Sequence, residues 1–207
     1  SSSTASISYQ ASYTYDDAGN RLTQTVNGQT TTYSYNVLDQ LTNDGTSNYT
    51  YDGRGNLAQI TNTSTNATTI YGYDAADRLI SAALPGNVNA AFAYDGDGHR
   101  ISQTANAQTT NYLWDTVSTY GDVALETDAT GTTQANYILG ASELLSQVRG
   151  STVSNYLKDG QGSVRTLVDN TGNITDKYNY DAFGNLLNRT GTTVNPYQYT
   201  SQQFDAI

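Results

Sequence analysis

Pairs of aromatic residues recur along this chain at short, regular intervals. Each pair has the form Tyr-x-Tyr, as at Tyr13/Tyr15, and sixteen of the 18 tyrosines fall in this frame. Because side chains alternate between the two faces of a β-strand, the spacing places both rings of a pair on one face. The pattern predicts one short strand per pair. The other pairs are Tyr33/Tyr35, Tyr49/Tyr51, Tyr71/Tyr73, Tyr178/Tyr180 and Tyr197/Tyr199, and the altered pairs are Phe92/Tyr94, Tyr112/Trp114, Tyr137/Leu139 and Tyr156/Lys158.

A turn signature follows the pair. The sequence Tyr-Asp-x-x-Gly-Asn occupies 15–20, 51–56 and 180–185, and looser copies occupy 73–78 and 94–99. The Asp carboxylate can accept hydrogen bonds from backbone N–H groups two residues on, and the Gly supplies the left-handed conformation that ends a four- or five-residue hairpin loop. The signature therefore predicts a tight turn after each aromatic strand.

Segments rich in apolar and β-branched residues come after these turns. Examples are 22–26 and 101–104, which we interpret as return strands, and Asn27-Gly28 is typical of a second turn at the far edge of the sheet. Each repeat is therefore predicted to be a β-hairpin. From the alternation we expect Tyr, Leu and Ile on one face and Thr, Ser, Gln and Asn on the other, with contacts between tyrosines on neighbouring strands as the cohesive interaction.

Ten such repeats predict about twenty strands. Open twisted sheets of more than about ten strands curl or close. The predicted fold class is all-β, with repeated antiparallel β-hairpins forming a long curled sheet, a spiral or barrel that resembles a β-solenoid. Along one continuous repeat domain we expect an N-terminal lead-in at 1–12, regular repeats at 13–119, degenerate repeats at 120–155 and a C-terminal group at 156–207.

The residues that build the repeat are the candidate functional residues, and their predicted role is structural. They are Tyr13, Tyr15, Asp16, Gly19, Asn20, Tyr49, Tyr51, Asp52, Gly55, Asn56, Tyr71, Tyr73, Asp74, Tyr94, Asp95, Gly98, Tyr178, Tyr180, Asp181, Gly184 and Asn185.

Composition narrows the range of functions. The net charge is −10 and only nine Lys and Arg are present, so no basic stripe is available to neutralise phosphates and we expect no nucleic-acid partner. No run of eighteen apolar residues occurs, so we expect no membrane insertion. The absence of cysteine excludes disulfides and thiolate metal sites. We also expect the chain to be a segment of a longer protein.

Three motifs suggest chemistry but are better explained as turns. His99 stands where other repeats carry Asn, and general acid–base catalysis would need convergent partners. The run 95–98, Asp-Gly-Asp-Gly, has neither the EF-hand nor the nonapeptide calcium spacing. The segment 160–165 lacks the Gly-Lys-Ser/Thr core of a phosphate-binding loop. We therefore predict no catalytic residue, no cofactor and no metal, and a protein that is not an enzyme.

Through its many copies of Tyr-Asp-x-x-Gly-Asn the chain resembles the YD-repeat or Rhs family. That family includes Rhs polymorphic toxins, the C components of insecticidal toxin complexes and the teneurin barrel. The similarity runs from Tyr13 to Phe204, and 156–165, 178–185 and 197–205 are similar to the end of the Rhs core. The resemblance implies a β-sheet strip that spirals into a hollow shell around a C-terminal cargo, commonly a toxin. In toxin members the segment after the core plugs the shell and carries aspartates for self-cleavage.

The resemblance sets the expected function and partners. We expect a non-catalytic segment of a secreted or surface-displayed shell that encapsulates or presents a linked cargo domain. Its partner would then be the remainder of its own polypeptide, and exposed sheet edges could favour self-association. The alternative is an extracellular carbohydrate-binding or cell-adhesion module, in which tyrosines stack on glycans.

The turn interpretation predicts a cost for a branched side chain at Gly19. Gly19→Val should destabilise the protein by about 1–3 kcal/mol, because valine resists the left-handed conformation. Thermal unfolding measures the effect, and an unchanged melting midpoint would contradict the turn assignment.

Overall fold

The computed structural model describes residues 9–117, 122–140 and 143–205, and in these residues it has 19 β-strands and one short 3-10 helix. The strands are β1 Ala11–Tyr15, β2 Arg21–Val26, β3 Gln29–Thr32, β4 Ser34–Tyr35, β5 Leu41–Asn43, β6 Ser47–Tyr51, β7 Leu57–Asn62, β8 Thr68–Tyr73, β9 Leu79–Leu84, β10 Val88–Tyr94, β11 Arg100–Ala105, β12 Gln108–Asp115, β13 Asp122–Asp128, β14 Thr133–Leu139, β15 Leu144–Arg149, β16 Thr152–Lys158, β17 Val164–Val168, β18 Ile174–Tyr180 and β19 Leu186–Thr190. The 3-10 helix is Tyr199–Ser201.

The strands pair in chain order. Strands β1 to β3 form a three-stranded sheet, and β4 to β19 follow one another in the strand order of a 16-stranded sheet. Within each unit, consecutive strands of the same sheet pair antiparallel, as in β1 with β2 and β18 with β19. The chain divides into two compact units, Ser1–Asn89 and Ala90–Ile207. The predicted fold class, an all-β protein of repeated antiparallel hairpins in a long sheet, is confirmed.

The turns after the aromatic pairs share one hydrogen-bond pattern. At Asp16 the carboxylate Oδ1 accepts the N–H of Ala18 at 3.0 Å and that of Asn20 at 2.7 Å, and Oδ2 accepts the Asn20 amide at 3.0 Å. The Gly19 N–H donates to the Asp16 carbonyl oxygen, and Gly19 has φ +90°. No heavy atom lies within 4 Å of a Cβ built at Gly19, so the predicted cost of valine there arises from the backbone conformation alone.

The same pattern recurs with other residues in the Asp, Gly and Asn positions. At the second turn Asn36 replaces Asp, and its Oδ1 accepts the N–H groups of Leu38 and Gln40. Asp39 and Asp77 replace Gly, with φ of +58° and +60°. These exchanges show that the turn needs a side-chain oxygen first and a residue that tolerates positive φ fourth.

Nine of the ten aromatic pairs lie on a hairpin with a β-bulge at the same point. The strand predicted at Tyr197/Tyr199 is wrong, because Tyr199 begins the 3-10 helix and Tyr197 forms an isolated bridge with Gln203. In nine hairpins the register shifts immediately before the second member of the pair, as between Thr14 and Tyr15 and between Gly72 and Tyr73. Ser81 is opposite Gly72, but Leu79 is opposite Tyr73, so the return strand contains one extra residue, Ile80. A bulge breaks the alternation of faces, and both Ile80 and Ser81 are exposed.

The bulge makes one of the predictions wrong. We expected Leu and Ile on the face of the tyrosines, but the extra residue of the bulge turns outward: Leu22, Ile80 and Ile101 are each about 40% exposed. Glutamine was expected on the opposite face, yet Gln147 lies opposite Tyr137 and is 1% exposed. Period-2 alternation cannot anticipate a face change that an inserted residue causes.

The predicted divisions of the chain stay predictions. Four stretches lie outside the described part of the chain: 1–8 in the lead-in 1–12, 118–121 across the boundary between the regular and degenerate repeats, 141–142 in the degenerate segment and 206–207 in the C-terminal group. In the degenerate segment the described strands β13, β14 and β15 pair like the others.

The aspartate turns predict a loss of stability in acid. Hydrogen bonds from the Asn20 side chain lower the pKa of Asp16, and hydrogen bonds led by that from Thr171 lower the pKa of Asp169 to about 2. Because the folded-state pKa lies below the unfolded value of about 3.9, this stabilisation is present above pH 4 and is lost as the pH falls from about 4 towards 2.

Asp16→Asn and Asp17→Asn give a matched test, because both remove one negative charge from the same turn. We expect the melting temperature of Asp16→Asn to lie below that of the wild type at pH 6 and to converge with it by pH 2. At pH 6 the melting temperature of Asp17→Asn should lie closer to that of the wild type, because the turn's hydrogen bonds are accepted by Asp16. A deficit for Asp16→Asn that persists unchanged at pH 2 would contradict the assignment.

Candidate functional site

All twenty-one residues that the sequence singles out lie in the described part of the chain. They belong to five hairpins, those of β1/β2, β6/β7, β8/β9, β10/β11 and β18/β19, with the aromatic residues on the strands and most of the others in the turns. The residues of one repeat lie together in one hairpin. The five hairpins occupy different positions in the order of strands. Their role as structural determinants of the repeat stays a prediction.

In two pairs the first tyrosine donates its hydroxyl to a glutamine of the preceding return strand. Tyr33 donates to the Gln24 Oε1 at 3.0 Å, and Tyr112 donates to the Gln103 Oε1 at 3.3 Å. Burial raises the pKa of both phenols, so they stay protonated and act as donors. We call the sheet face that carries the aromatic pairs the tyrosine face. Its glutamines serve as acceptors for the tyrosines.

The second aromatic residue of a pair is bonded differently. Tyr35 donates its hydroxyl to the backbone carbonyl of Arg21 at 3.0 Å, and Tyr73 donates to that of Leu57 at 3.0 Å. These carbonyls lie beside the bulge of the preceding hairpin. Trp114 supplies an indole N–H to the carbonyl of Arg100 at 2.9 Å, in the same relative position. In four repeats the second aromatic residue, Tyr35, Tyr51, Tyr73 or Trp114, thus satisfies an acceptor that the bulge of the preceding repeat exposes.

Arginines lie against the rings of the tyrosine face. The guanidinium carbon of Arg21 is 4.1 Å from the Tyr33 ring centroid, and that of Arg100 is 5.4 Å from the centroids of both Phe92 and Tyr112. Three more arginines, Arg149, Arg165 and Arg189, lie within about 6 Å of the rings of Tyr137, Tyr180 and Tyr178. Such cation–π contacts stabilise at about 0.5–2 kcal/mol each.

A buried ion pair occupies the centre of this face in the second unit. Glu126 accepts the Tyr137 hydroxyl at 2.6 Å, and Arg149 donates to both Glu126, at 2.9 Å, and Tyr137, at 2.8 Å. Burial and the Glu126 charge raise the pKa of Tyr137. Because the phenol and the guanidinium both bond to the carboxylate, its buried charge is compensated.

The chain after β19 folds back over the tyrosine face of the second unit. We call residues 191–205 the C-terminal strap. Its start is held by Asp176, which is fully buried and accepts the Thr193 N–H at 3.1 Å, the Thr193 hydroxyl and the guanidinium of Arg189. Gly191, with φ +82°, leaves no room for a Cβ, which would collide with Thr175 and Asp176. The strap therefore begins with a glycine that both the conformation and the packing require.

Polar contacts hold the middle of the strap. The Gln147 amide donates to the Val194 carbonyl at 2.7 Å, and the Tyr156 hydroxyl donates to Asn195 at 3.1 Å. Tyr197 packs edge-on against Tyr137, with ring centroids 5.1 Å apart. Under the strap lies the hydrophobic core of the second unit: Val123, Ala135, Tyr137, Leu144, Tyr156, Val164, Leu167 and Tyr178.

The end of the strap is fixed by Arg100. Its guanidinium binds the Asp205 carboxylate through two bonds of 2.7 Å and donates to the Gln203 Oε1 at 3.1 Å. Burial opposes the charge of Arg100, but its pKa is raised because Asp205 outweighs that effect. A cleft of about 260 Å³ remains between strap and sheet, and its lining includes Gln103, Tyr112, Glu126, Arg149, Gln203 and Asp205.

The motifs set aside in the sequence lie in turns. The Nδ1 of His99 is 3.1 Å from the Asp95 Oδ2, and its ring lies 4.9 Å from that of Trp114. Asp95, Asp97 and His99 are close enough to hold a cation, but the Asp95 carboxylate already accepts the hydrogen bonds of its turn. In 160–165 the carboxylate of Asp159 accepts the N–H groups of Gln161 and Ser163, as in the other turns.

Two turns of the same kind were missed by the sequence analysis. The carboxylate of Asp128 accepts the N–H groups of Thr130 and Thr132, and Asp169 does the same for Thr171 and Asn173. Both turns join strands at the edge opposite the aromatic turns, between β13 and β14 and between β17 and β18. Both turns have the sequence Asp-x-Thr-Gly. They were missed because no Tyr-x-Tyr pair precedes them. In the described residues no helix is long and apolar enough to cross a bilayer.

A comparison with protein-family models shows to which family the chain belongs. The family model of the teneurin YD-shell matches residues 4–207. The chain belongs to the teneurin YD-shell family. The resemblance drawn from Tyr-Asp-x-x-Gly-Asn is therefore confirmed, and the tyrosine face with its strap is a feature of one YD-shell segment.

Curated relatives of this YD-shell segment are much longer than it. The tRNA nuclease WapA of Bacillus subtilis and the tRNA3(Ser)-specific nuclease WapA of Bacillus spizizenii are each 34% identical to it over 203 residues. The match covers 93% of this chain and 8% of each relative. The YD-shell segment thus corresponds to a small part of each.

Solved structures share the fold. The TcdB2-TccC3 crystal structure matches with a TM-score of 0.50 and 17% identity, over 96% of this chain and 15% of that one. The Tc holotoxin pore of Photorhabdus luminescens matches with a TM-score of 0.50 and 15% identity, over 96% of this chain and 14% of that one. At this identity the likeness concerns the fold alone.

The hydrogen bond between neighbouring repeats predicts that removal of one tyrosine hydroxyl lowers the stability of the protein. Tyr73→Phe should lower the free energy of unfolding by about 1 kcal/mol, because the Leu57 carbonyl loses its donor. Tyr15→Phe is the control, because Tyr15 occupies the same position in its pair but is 51% exposed. Urea unfolding compares the two, and equal losses would contradict a specific role for the Tyr73 hydroxyl.

Proposed function

We propose that this chain is a non-catalytic wall segment of a YD shell that encloses or presents a linked cargo domain. The observation that carries the proposal is the match of the teneurin YD-shell model across residues 4–207. The share of 8% that the chain covers in the WapA nucleases supports a further point, that the segment is one part of a long polypeptide. In this proposal the wall acts by keeping proteases and solvent away from what it encloses.

The bonding of the acidic side chains supports a structural role. Asp16, Asp52 and Asp181 accept the hydrogen bonds of their turns, and the buried Glu126 and Asp176 are matched to Arg149 and Arg189. Acid–base catalysis needs a carboxyl group that can exchange protons with a substrate. Here these groups are used to hold the backbone and the strap, so we propose that any catalytic activity belongs to other parts of the polypeptide.

The cargo is proposed to be toxin-like. The relatives named as tRNA nucleases have the great majority of their length outside the matched region, and a nuclease domain is one cargo of this kind. We propose a secreted or surface-displayed location, because a shell that protects a cargo is useful outside the cell that makes it. The proposed partner is the rest of the same polypeptide.

The carbohydrate-binding alternative is less well supported by the geometry. Tyr137, Tyr156 and Tyr178 are almost fully buried, and the hydroxyls of Tyr137 and Tyr156 bond to Glu126 and Asn195. A glycan array should therefore show no saturable binding, and binding lost on substitution of clustered tyrosines would favour the adhesion module.

Protease protection tests the shell role. In the full-length polypeptide the cargo domain should resist trypsin far longer than the same domain expressed alone. Gly184→Val should remove this protection, because Gly184 has φ +87° and its Cβ would meet the Tyr199 ring at 2.6 Å.

Gly160→Val is the matched control, because Gly160 also lies in a turn of the same kind but has no positive φ and has open space at its Cβ. It should leave the protection intact. Cleavage of the cargo at the same rate with and without the wall would overturn the proposal.

A further inference from the structure

The cleft between the strap and the sheet contains a guanidinium that is only partly used. Arg149 donates from Nε to the Gln147 Oε1 at 3.2 Å, and from Nη2 to Glu126 and to Tyr137. Among the described residues its other terminal nitrogen, Nη1, has no hydrogen-bond partner. The Arg149 side chain lines the cleft and is 21% exposed. The cleft therefore offers a hydrogen-bond donor to a ligand.

Glu126, beside Arg149 in the same cleft, has acceptor capacity left. Its Oε1 accepts the Tyr137 hydroxyl at 2.6 Å, and its Oε2 accepts Arg149 at 2.9 Å. A carboxylate oxygen has two lone pairs, so each can accept one more hydrogen bond. A donor next to an acceptor matches a carboxamide, whose carbonyl oxygen accepts and whose N–H donates.

The charged groups at this cleft are already balanced. Glu126 pairs with Arg149, and Asp205 pairs with Arg100. The whole chain carries a net charge of −10. A ligand carboxylate would bring an unpaired negative charge next to the buried Glu126, which costs free energy in a partly desolvated site. The charge balance therefore favours a neutral ligand.

The strap supplies an apolar wall for the body of such a ligand. Val194, Pro196 and Phe204 line the cleft from the strap, and the Tyr112 side chain lines it from the sheet. Phe204 is 57% exposed, so its ring is available for contact. The cleft volume of about 260 Å³ lies below the range of about 300–1,000 Å³ that is typical of pockets for drug-sized molecules. A compact ligand of about one ring is the better match.

We propose that this cleft binds a small neutral carboxamide with an apolar body. The Arg149 Nη1 donates to the carbonyl oxygen of the ligand, the Glu126 carboxylate accepts its N–H, and the apolar body packs on Phe204. Arg149 and Glu126 come from the sheet and Phe204 from the strap, so the site exists only where the strap lies on the tyrosine face. The proposal is independent of the shell role.

Fluorine NMR with 4-fluorobenzamide as the probe tests the site on the complete 207-residue chain. The resonance of the probe should shift saturably as protein is added. 4-Fluorobenzoate has nearly the same shape but carries a carboxylate in place of the amide. It should bind at least tenfold more weakly, because its charge has no partner in the balanced cleft.

Arg149→Lys removes Nη1 but keeps a positive charge beside Glu126, and it should weaken binding of 4-fluorobenzamide at least tenfold. Arg165→Lys is the matched control. Arg165 also lies near a tyrosine ring, that of Tyr180, and pairs with Asp159, but it does not line the cleft. This control should bind the probe like the wild type.

Phe204→Ala is a second variant, at an exposed side chain whose loss spares the ion pairs. It should weaken binding several-fold, while circular dichroism shows that the β-sheet signal is kept. Three results would overturn the proposal: no saturable shift with 4-fluorobenzamide, equal affinity for the amide and the acid, or wild-type affinity in Phe204→Ala.

Discussion

The β-bulge beside the second aromatic residue is the constraint on which the repeat depends. It inserts one residue in nine return strands and exposes a backbone carbonyl beside it. In four repeats a tyrosine or tryptophan of the next hairpin donates to that carbonyl, as Tyr35 does to Arg21 and Trp114 to Arg100. An unsatisfied carbonyl at this depth would cost about 1–3 kcal/mol. In these repeats the bulge of one hairpin is matched to a hydroxyl or indole donor in the next, whereas Leu139 and Lys158 hold the same position without such a donor.

Hydrogen bonds and cation–π contacts between side chains explain how a chain with few hydrophobic residues forms a large sheet. Only 36% of the residues are hydrophobic, and several leucines and isoleucines, such as Leu113 and Ile138, face solvent. The tyrosine face instead combines ring burial with hydroxyl bonds to glutamine and with arginines over the rings. Where a tyrosine hydroxyl has a fixed partner, as at Tyr33 and Tyr112, its hydrogen bond imposes register in addition to ring burial.

The strap gives the second unit a layer above its tyrosine face. Asp176 and Arg100 hold its two ends, and Gln147 and Tyr156 hold its middle, so that strands from β11 to β19 are connected to one segment. These attachments are mostly side-chain bonds from residues that also pack in the sheet.

The sequence by itself determined nine aromatic hairpins, the turns that follow their aromatic pairs and the family, because Asp, Gly and Tyr act locally within six residues. Tyr15 to Asn20 specify a turn wherever they occur, since their hydrogen bonds close within the turn. The sequence could not reveal that Ile80 and Ile101 face outward, that Gln147 is buried, or that Asp205 reaches Arg100. Those facts depend on the bulges and on the return path of the strap, which bring together residues far apart in the chain. Only the tertiary structure decides such contacts, because no local preference encodes the partner of a side chain about a hundred positions away.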